Sequence, residues 1–272
     1  MRILLLLMAL FMAMTPARAD DELLTLDGIF RQGGYAIGVV PPESRILFDG
    51  VDVTVGRDGR FLIGFHRDEP PQVQLTVFPP GEELRNYMLD IEQREYDIQH
   101  IDGLPPSSVT PPQSVLDRIS AEAALVRAAR AVNSYDTWFD RGWIWPVKGR
   151  ISGVFGSQRV LNGEPRQPHY GIDIAVPEGT PVVAPSDGVV SLVHPDMYYS
   201  GGTLMIDHGR GLASAFLHLQ SISVAEGDVV RQGDVIGTVG STGRSTGPHL
   251  DWRINWFGRR LDAAFFAPPM PD

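Results

Sequence analysis

The chain of 272 residues has no cysteine, so it can form no disulfide, and no lipid-attachment cysteine follows its apolar N-terminus. If it is exported, core packing alone has to hold it together. Lysine is nearly absent, with Lys148 the only one, and basic residues are outnumbered, 23 Lys and Arg against 33 Asp and Glu. The resulting net charge of −10 excludes nucleic acid as the main partner, because phosphate binding needs clustered cations. Beyond the first nineteen residues there is no long apolar run, so no membrane span is expected in the mature chain.

Residues 1–19 read as a secretory signal peptide. Arg2 supplies the positive start, Ile3 to Met14 the apolar core, and Ala17-Arg-Ala19 the cleavage site. Export with cleavage places the protein in the periplasm or cell envelope. What remains is long enough for two domains.

Residues 20–105 are expected to form a β-rich accessory domain, a small sandwich. Short runs at Ile37–Val40, Ile46–Phe48, Val51–Val55, Phe61–Phe65 and Val73–Phe78 are separated by turn signals such as Arg57-Asp-Gly59. Its two histidines, His66 and His100, are isolated and read as structural. A positioning or partner-binding module is the expected role, with other cell-wall enzymes as candidate partners. Residues 106–142 are a linker region. A Pro-rich stretch at 103–112 leads into it, stiff and extended, and a helix follows from Ser114, with Asp117 in a capping-box arrangement, to about Phe139. The helix reads as a spacer, and Tyr135, Trp138 and Phe139 as its docking core.

From Trp143 to the end the pattern is β again and rich in glycine. Val176-Pro-Glu-Gly-Thr-Pro-Val182 and Val224-Ala-Glu-Gly-Asp-Val-Val230 share the form Val-x-Glu-Gly-x-x-Val, which suggests a duplicated antiparallel sheet. Biotinyl and lipoyl carrier domains use similar hairpins, but they need a lysine at a hairpin tip, and none occurs after Lys148. The expected fold class is therefore mainly β: a small β-sandwich-like domain, a linker helix and a C-terminal antiparallel β domain over 143–272.

The chemistry sits in His169-Tyr-Gly-Ile-Asp173 and Gly247-Pro-His-Leu-Asp251, with Phe216-Leu-His218-Leu219 between them. Side chains alternate faces along an extended backbone, so His169 and Asp173 are co-facial, as are His249 and Asp251. A hydrolytic Zn²⁺ needs three protein ligands and one open position, with a base or charge stabiliser nearby. His169, Asp173 and one of the 249/251 pair can supply the ligands. His218 and the other member of that pair can supply the second role.

At these residues the chain resembles the lysostaphin/LytM-type zinc endopeptidases, which cut peptide cross-links in bacterial peptidoglycan. The resemblance covers residues 145 to about 263. It also takes in Trp145-Pro146, Gly153-Val-Phe-Gly156, Gly179-Thr-Pro-Val182, Ala184-Pro185, Gly188-Val-Val190, Ile206-Asp-His-Gly209 and Gly240-Ser-Thr-Gly243. It implies a LytM-type peptidase domain, zinc, stem peptides as substrate, His169 and Asp173 as ligands, and His218 and His249 as catalytic histidines.

The departure is at 251, where the family pattern has His and this chain has Asp. Either Asp251 is itself the third ligand, since carboxylate is an accepted zinc donor, or the domain is a degenerate regulator that binds cell wall or activates an amidase. Keeping a metal-competent residue there favours the first. Two carboxylates would offset the full charge of Zn²⁺ and leave a bound water less acidic. His194 and His208 read as structural. The loop 157–168 and Tyr198-Tyr199 are expected to wall a groove, with Arg159, Arg166, Arg244 and Ser245 as candidate contacts.

Overall fold

A computed structural model describes residues 23–102 and 113–270; the segment read from the sequence as a signal peptide and the Pro-rich stretch 103–112 lie outside the described residues. The first strands are β1 (Thr25–Gly28), β2 (Tyr35–Val39), β3 (Arg45–Phe48) and β4 (Val51–Val53). They are followed by β5 (Arg60–Gly64), β6 (Gln72–Phe78) and β7 (Arg85–Asp90). They form two sheets, β1-β2-β5 and β4-β3-β6-β7, in antiparallel pairs. In β3 and β6 alternate residues (Ile46 and Phe48; Val73, Leu75 and Val77) turn into a shared core. The sandwich expected from the sequence is present, with β1 and β7 added by segments whose apolar alternation is weak.

Strand β5 departs from alternation: Phe61, Leu62 and Ile63 are all buried. Its second face lies against the C-terminal half, where a Cβ on Gly64 would stand 2.8 Å from Leu261 and 3.0 Å from Trp256. The two halves therefore share one apolar core, running from Leu23 to Ala267. Tyr35 stacks on Phe266 with ring centroids 4.2 Å apart, and Arg94 pairs with Asp262 at 2.8 Å.

Strand β8 (Ile98–Ile101) precedes helix α1 (Leu116–Arg130). The helix begins after a short 3₁₀ turn, Gln113–Val115; its N-cap is Val115, with no side-chain cap, so Ser114 does not act as a capping residue. It also ends well before Phe139. Asn133 and Ser134 are used instead as anchors: Asn133 bonds Thr54, and the Ser134 hydroxyl donates to Asp207 at 2.7 Å. Val126 and Ala129 pack on the C-terminal sheet among Met205, Ala215 and Leu217. Of the aromatic cluster after it, Phe139 is buried, Trp138 half-buried and Tyr135 exposed. Among the described residues no helix is long and apolar enough to cross a membrane.

The C-terminal strands begin with β9 (Arg150–Gly153), β10 (Gln158–Leu161), β11 (Glu164–Pro165), β12 (Ile172–Ala175) and β13 (Pro181–Val183). Next come β14 (Gly188–Met197), β15 (Gly201–Gly209), β16 (Leu212–Ile222) and β17 (Val229–Val230). The last are β18 (Val235–Val239), β19 (Leu250–Trp256) and β20 (Arg259–Leu261). All but β10 and β11 join a ten-stranded sheet with the main order β17-β14-β15-β16-β19-β12-β9, β18 pairing β13 and β16 off that path. The segment read as a loop at 157–168 is the β10/β11 hairpin, because β10 pairs in parallel with β8 from the first half.

His208 is fully buried in this sheet. Its Nδ1 lies 2.7 Å from the Asp187 carbonyl, to which it donates, and its Nε2 lies 2.7 Å from the Ser214 hydroxyl. Burial pulls its pKa down to about 4, the Asp187 carbonyl opposing that only in part. The folded state thus holds the ring neutral. Its full contribution to stability is present above the unfolded pKa near 6.5 and is lost as pH falls toward 4, because the unfolded chain takes up the proton first; the loss is ~3 kcal/mol. Denaturant titrations at pH 7 and 4.5 check this: His208→Gln is expected to flatten the difference between the two.

Candidate metal centre

Strand β19 sets the site. Leu250, Trp252 and Ile254 are fully buried on its core face, with Trp252 edge-on to Trp145 at 5.5 Å. The pleat therefore sends Asp251 and Arg253 to the opposite face, and a one-residue slip would put the tryptophan there instead. Strand β12 repeats the device: Ile172 and Ile174 are buried in the core, and Asp173 faces Asp251 across the ladder. Leu217 of β16 is the partner of Asp251 on its other side. His169 lies just before β12 and is pinned by its backbone, its N–H donating to the Ser157 carbonyl and its carbonyl accepting from Gly156, both at 2.8 Å.

Two glycines leave room for the carboxylates. A Cβ on Gly153 would lie 2.3 Å from Asp173 Oδ2, and one on Gly171 would lie 2.1 Å from Asp251 Oδ1. Any side chain at either position would displace a carboxylate.

His169, Asp173 and Asp251 each direct one donor atom into a common space, all three within 4.8 Å of one another. His169 Nε2 stands 3.3 Å from Asp173 Oδ1, and both atoms are buried without a hydrogen-bond partner. A buried polar atom left unbonded costs on the order of 1–3 kcal/mol, and a cation between these two relieves both. An imidazole nitrogen and two carboxylates are zinc's ordinary donors, so the residues present fit the metal. Burial depresses the His169 pKa, but Asp173 and Asp251 together outweigh it and raise the value.

His218 and His249 stand beside the ligands, ring centroids 4.8 Å apart. His218 Nδ1 donates to the Thr242 carbonyl and His249 Nδ1 to the Gly247 carbonyl, each at 2.8 Å. A carbonyl only accepts, so both rings carry their proton on Nδ1 and keep Nε2 free. His249 Nε2 comes to 3.7 Å from Asp173 Oδ1. Burial lowers the pKa of His218 and keeps it neutral near pH 7. Its backbone is in the left-handed region, φ 64°, an uncommon conformation for a non-glycine residue inside a strand. Ser245 approaches His249 Nδ1 at 3.3 Å.

Arg253 was not singled out from the sequence. Its Nε lies 3.0 and 3.1 Å from the two Asp251 oxygens, and Nη2 lies 2.5 Å from Oδ2. Burial alone would raise the Asp251 pKa; the Arg253 charge and hydrogen bonds overcome it and bring the value to about 2. The signal was available, since 249, 251 and 253 share one parity. Arg130, at the end of α1, was also missed, and nothing local in the sequence marks it. Burial, then Arg260 and Arg253, bring its guanidinium down to about 9. Burial and Arg253 bring Arg260, which lies over the Tyr170 ring, to about 10.

All five candidate site residues line one cleft of about 980 Å³. Arg159, Arg166, Arg244, Tyr198 and Tyr199 line it too, as expected, with Arg244 4.4 Å from the Tyr199 ring. His66, His100, His194 and His208 lie outside its wall.

The family model for peptidase family M23 matches residues 167–263. A crystal structure of a putative M23 peptidase from Pseudomonas aeruginosa is 31% identical and superposes with a TM-score of 0.67 over 87% of this chain and 94% of that one. The chain belongs to peptidase family M23. M23 enzymes are metallopeptidases, which agrees with the donor set described above. Within the M23 region the chain is 43% identical over 126 residues to the DD-carboxypeptidase/endopeptidase Mpg of Neisseria meningitidis. It is 41% identical over 131 residues to the peptidoglycan DD-endopeptidase ShyA of Vibrio cholerae. Each match takes in 46% of this chain but only 29% and 30% of those M23 relatives.

Proposed function

We propose that this M23 protein is an exported zinc endopeptidase that hydrolyses the peptide cross-links of peptidoglycan. The observation that carries the reading is the meeting of three metal donors, two of them with unbonded buried atoms, beside two histidines whose Nε2 atoms are free. The names of the Neisseria and Vibrio relatives support the substrate class, and the apolar leader supports a periplasmic location. His169, Asp173 and Asp251 would hold the metal. When bound, zinc supplies Lewis acidity to a scissile carbonyl and lowers the pKa of a water ligand.

The remaining work falls to the protein. Neutral His218 can accept a proton at Nε2 while the Thr242 carbonyl fixes its tautomer. His249, held in the same way, can donate hydrogen-bonding stabilisation to charge that develops nearby once protonated. The arginines of the cleft can orient substrate carboxylates.

A second reading rests on one observation. Arg253 grips Asp251, the residue that departs from the family pattern, as it would in a regulator that had given up metal. Two measurements decide between them. Metal analysis of the purified protein is expected to show about one zinc per chain, and defined cross-linked muropeptides are expected to be cleaved without a chelator and spared with one. Protein that neither carries nor takes up zinc would leave only the regulator.

A further inference from the structure

The pair Asp251–Arg253 raises a question of charge. A three-ligand zinc site made of two imidazoles and one carboxylate carries a ligand charge of −1. With one imidazole and two carboxylates the figure is −2, which holds the cation more tightly and weakens it as a Lewis acid. Here the second carboxylate is not alone. Asp251, only 3% exposed, is bound through both oxygens by a guanidinium on the same strand face.

We propose that Asp251 and Arg253 act together as a neutral ligand unit, standing in for an imidazole, with Arg253 as the positioning and charge-setting residue. The inference rests on the metal reading above. Three features of the site fit it. A carboxylate oxygen has two lone-pair directions, so Oδ1 can accept from Nε and still face the space shared with His169 and Asp173. The open Cα of Gly171 admits the pair, since a Cβ there would meet both Asp251 Oδ1 and the Arg253 side chain, at 2.1 and 2.7 Å. Arg253 is also confined: neighbouring Arg260 is already engaged by Asn255 and the Tyr170 ring, and Asp251 is the only carboxylate that Arg253 bridges among the described residues. A guanidinium that clamps a carboxylate in two places fixes its orientation as well as its charge.

The charge argument orders four proteins. The natural chain has a unit charge of zero at 251 and 253, Arg253→Met has −1, Asp251→His has +1, and the double variant Asp251→His/Arg253→Met returns to zero. Arg130 and Arg260 are unchanged in all of them. Zinc dissociation constants measured on the full chain at pH 8, by competition with a chromophoric chelator and with folding checked by circular dichroism, should follow that order. Arg253→Met should bind about tenfold tighter than the natural chain or more, and Asp251→His about a hundredfold weaker; the double variant should recover to within about tenfold. Arg253→Lys, which keeps the charge but not the fork, should stay near the natural value. If Asp251→His does not fold, the comparison of Met with Lys at 253 still decides.

A merely structural pair predicts something else: Arg253→Met would bind zinc no more tightly, and Asp251→His would gain nothing from the second substitution. Either result overturns the inference. If the natural chain itself takes up no zinc, the proposed function fails, and the inference falls with it.

Discussion

His169→Ala is expected to release the metal and to slow hydrolysis of cross-linked muropeptide by about a thousandfold or more, since hydrolysis without the metal loses both the activated water and the polarised carbonyl. Its effect on folding should run the other way. In the metal-free protein at pH 9, where His169 has given up the charge that Asp173 and Asp251 stabilise, its Nε2 and Asp173 Oδ1 are buried and unbonded, and removing one of two such atoms relieves on the order of 1–3 kcal/mol of desolvation cost. Thermal unfolding at that pH after exhaustive chelation is therefore expected to show the variant at least as stable as the parent, while added zinc protects the parent alone. A variant that melts lower without metal would mean that the ring is structural. Sites that bind ions are commonly held at a cost to the empty fold, and this one has that cost in two named atoms.

The second large effect separates ligands from catalytic groups. His218→Ala and His249→Ala should each keep a full equivalent of zinc and lose a factor of about 10²–10⁴ in kcat, the usual range for a positioned acid or base. The hydrogen bonds to Thr242 and Gly247 already fix both rings with Nε2 outward, so neither needs the metal for its orientation. Loss of zinc from His249→Ala would make that ring the third ligand and leave Asp251 to its ion pair with Arg253. Zinc stoichiometry, read beside the steady-state rate, distinguishes the two outcomes.

Much of this site could be read from residue order alone, because its elements are strands and alternation in a strand is a local property. Leu250, Trp252 and Ile254 are apolar at every second position, which places His249 and Asp251 on the polar face before any coordinates are known. The same rule places Arg253 there. Nothing local marks its role, because an arginine on a polar face is usually only solvated, and the burial that makes it matter is a tertiary fact. His218 was legible as a residue type in an apolar run, whereas its left-handed backbone is imposed by the neighbouring strands and leaves no mark on the sequence. The end of α1 is invisible in the sequence for a related reason. Periodicity continues past Arg130, but the chain leaves the helix there: the Ser134 carbonyl accepts from the Arg210 N–H of the C-terminal sheet, and the Asn133 and Ser134 side chains bond Thr54 and Asp207. The β8–β10 pairing joins segments some sixty residues apart in parallel, and no short-range pattern encodes such a partner.

That pairing bears on how the chain can be divided. The Pro-rich stretch looks like a seam, and a fragment starting beyond it would keep His169, Asp173, Asp251, His218 and His249. Such a fragment would also leave one side of β10 bare, and the Gly156 carbonyl would lose the Arg67 guanidinium that now caps it at 2.7 and 2.9 Å. An unpaired strand at the mouth of a cleft is a template for joining another copy. Fusions and swaps that carry the proposed activity elsewhere therefore need to cut ahead of β1, so that the lip of the cleft travels with its floor.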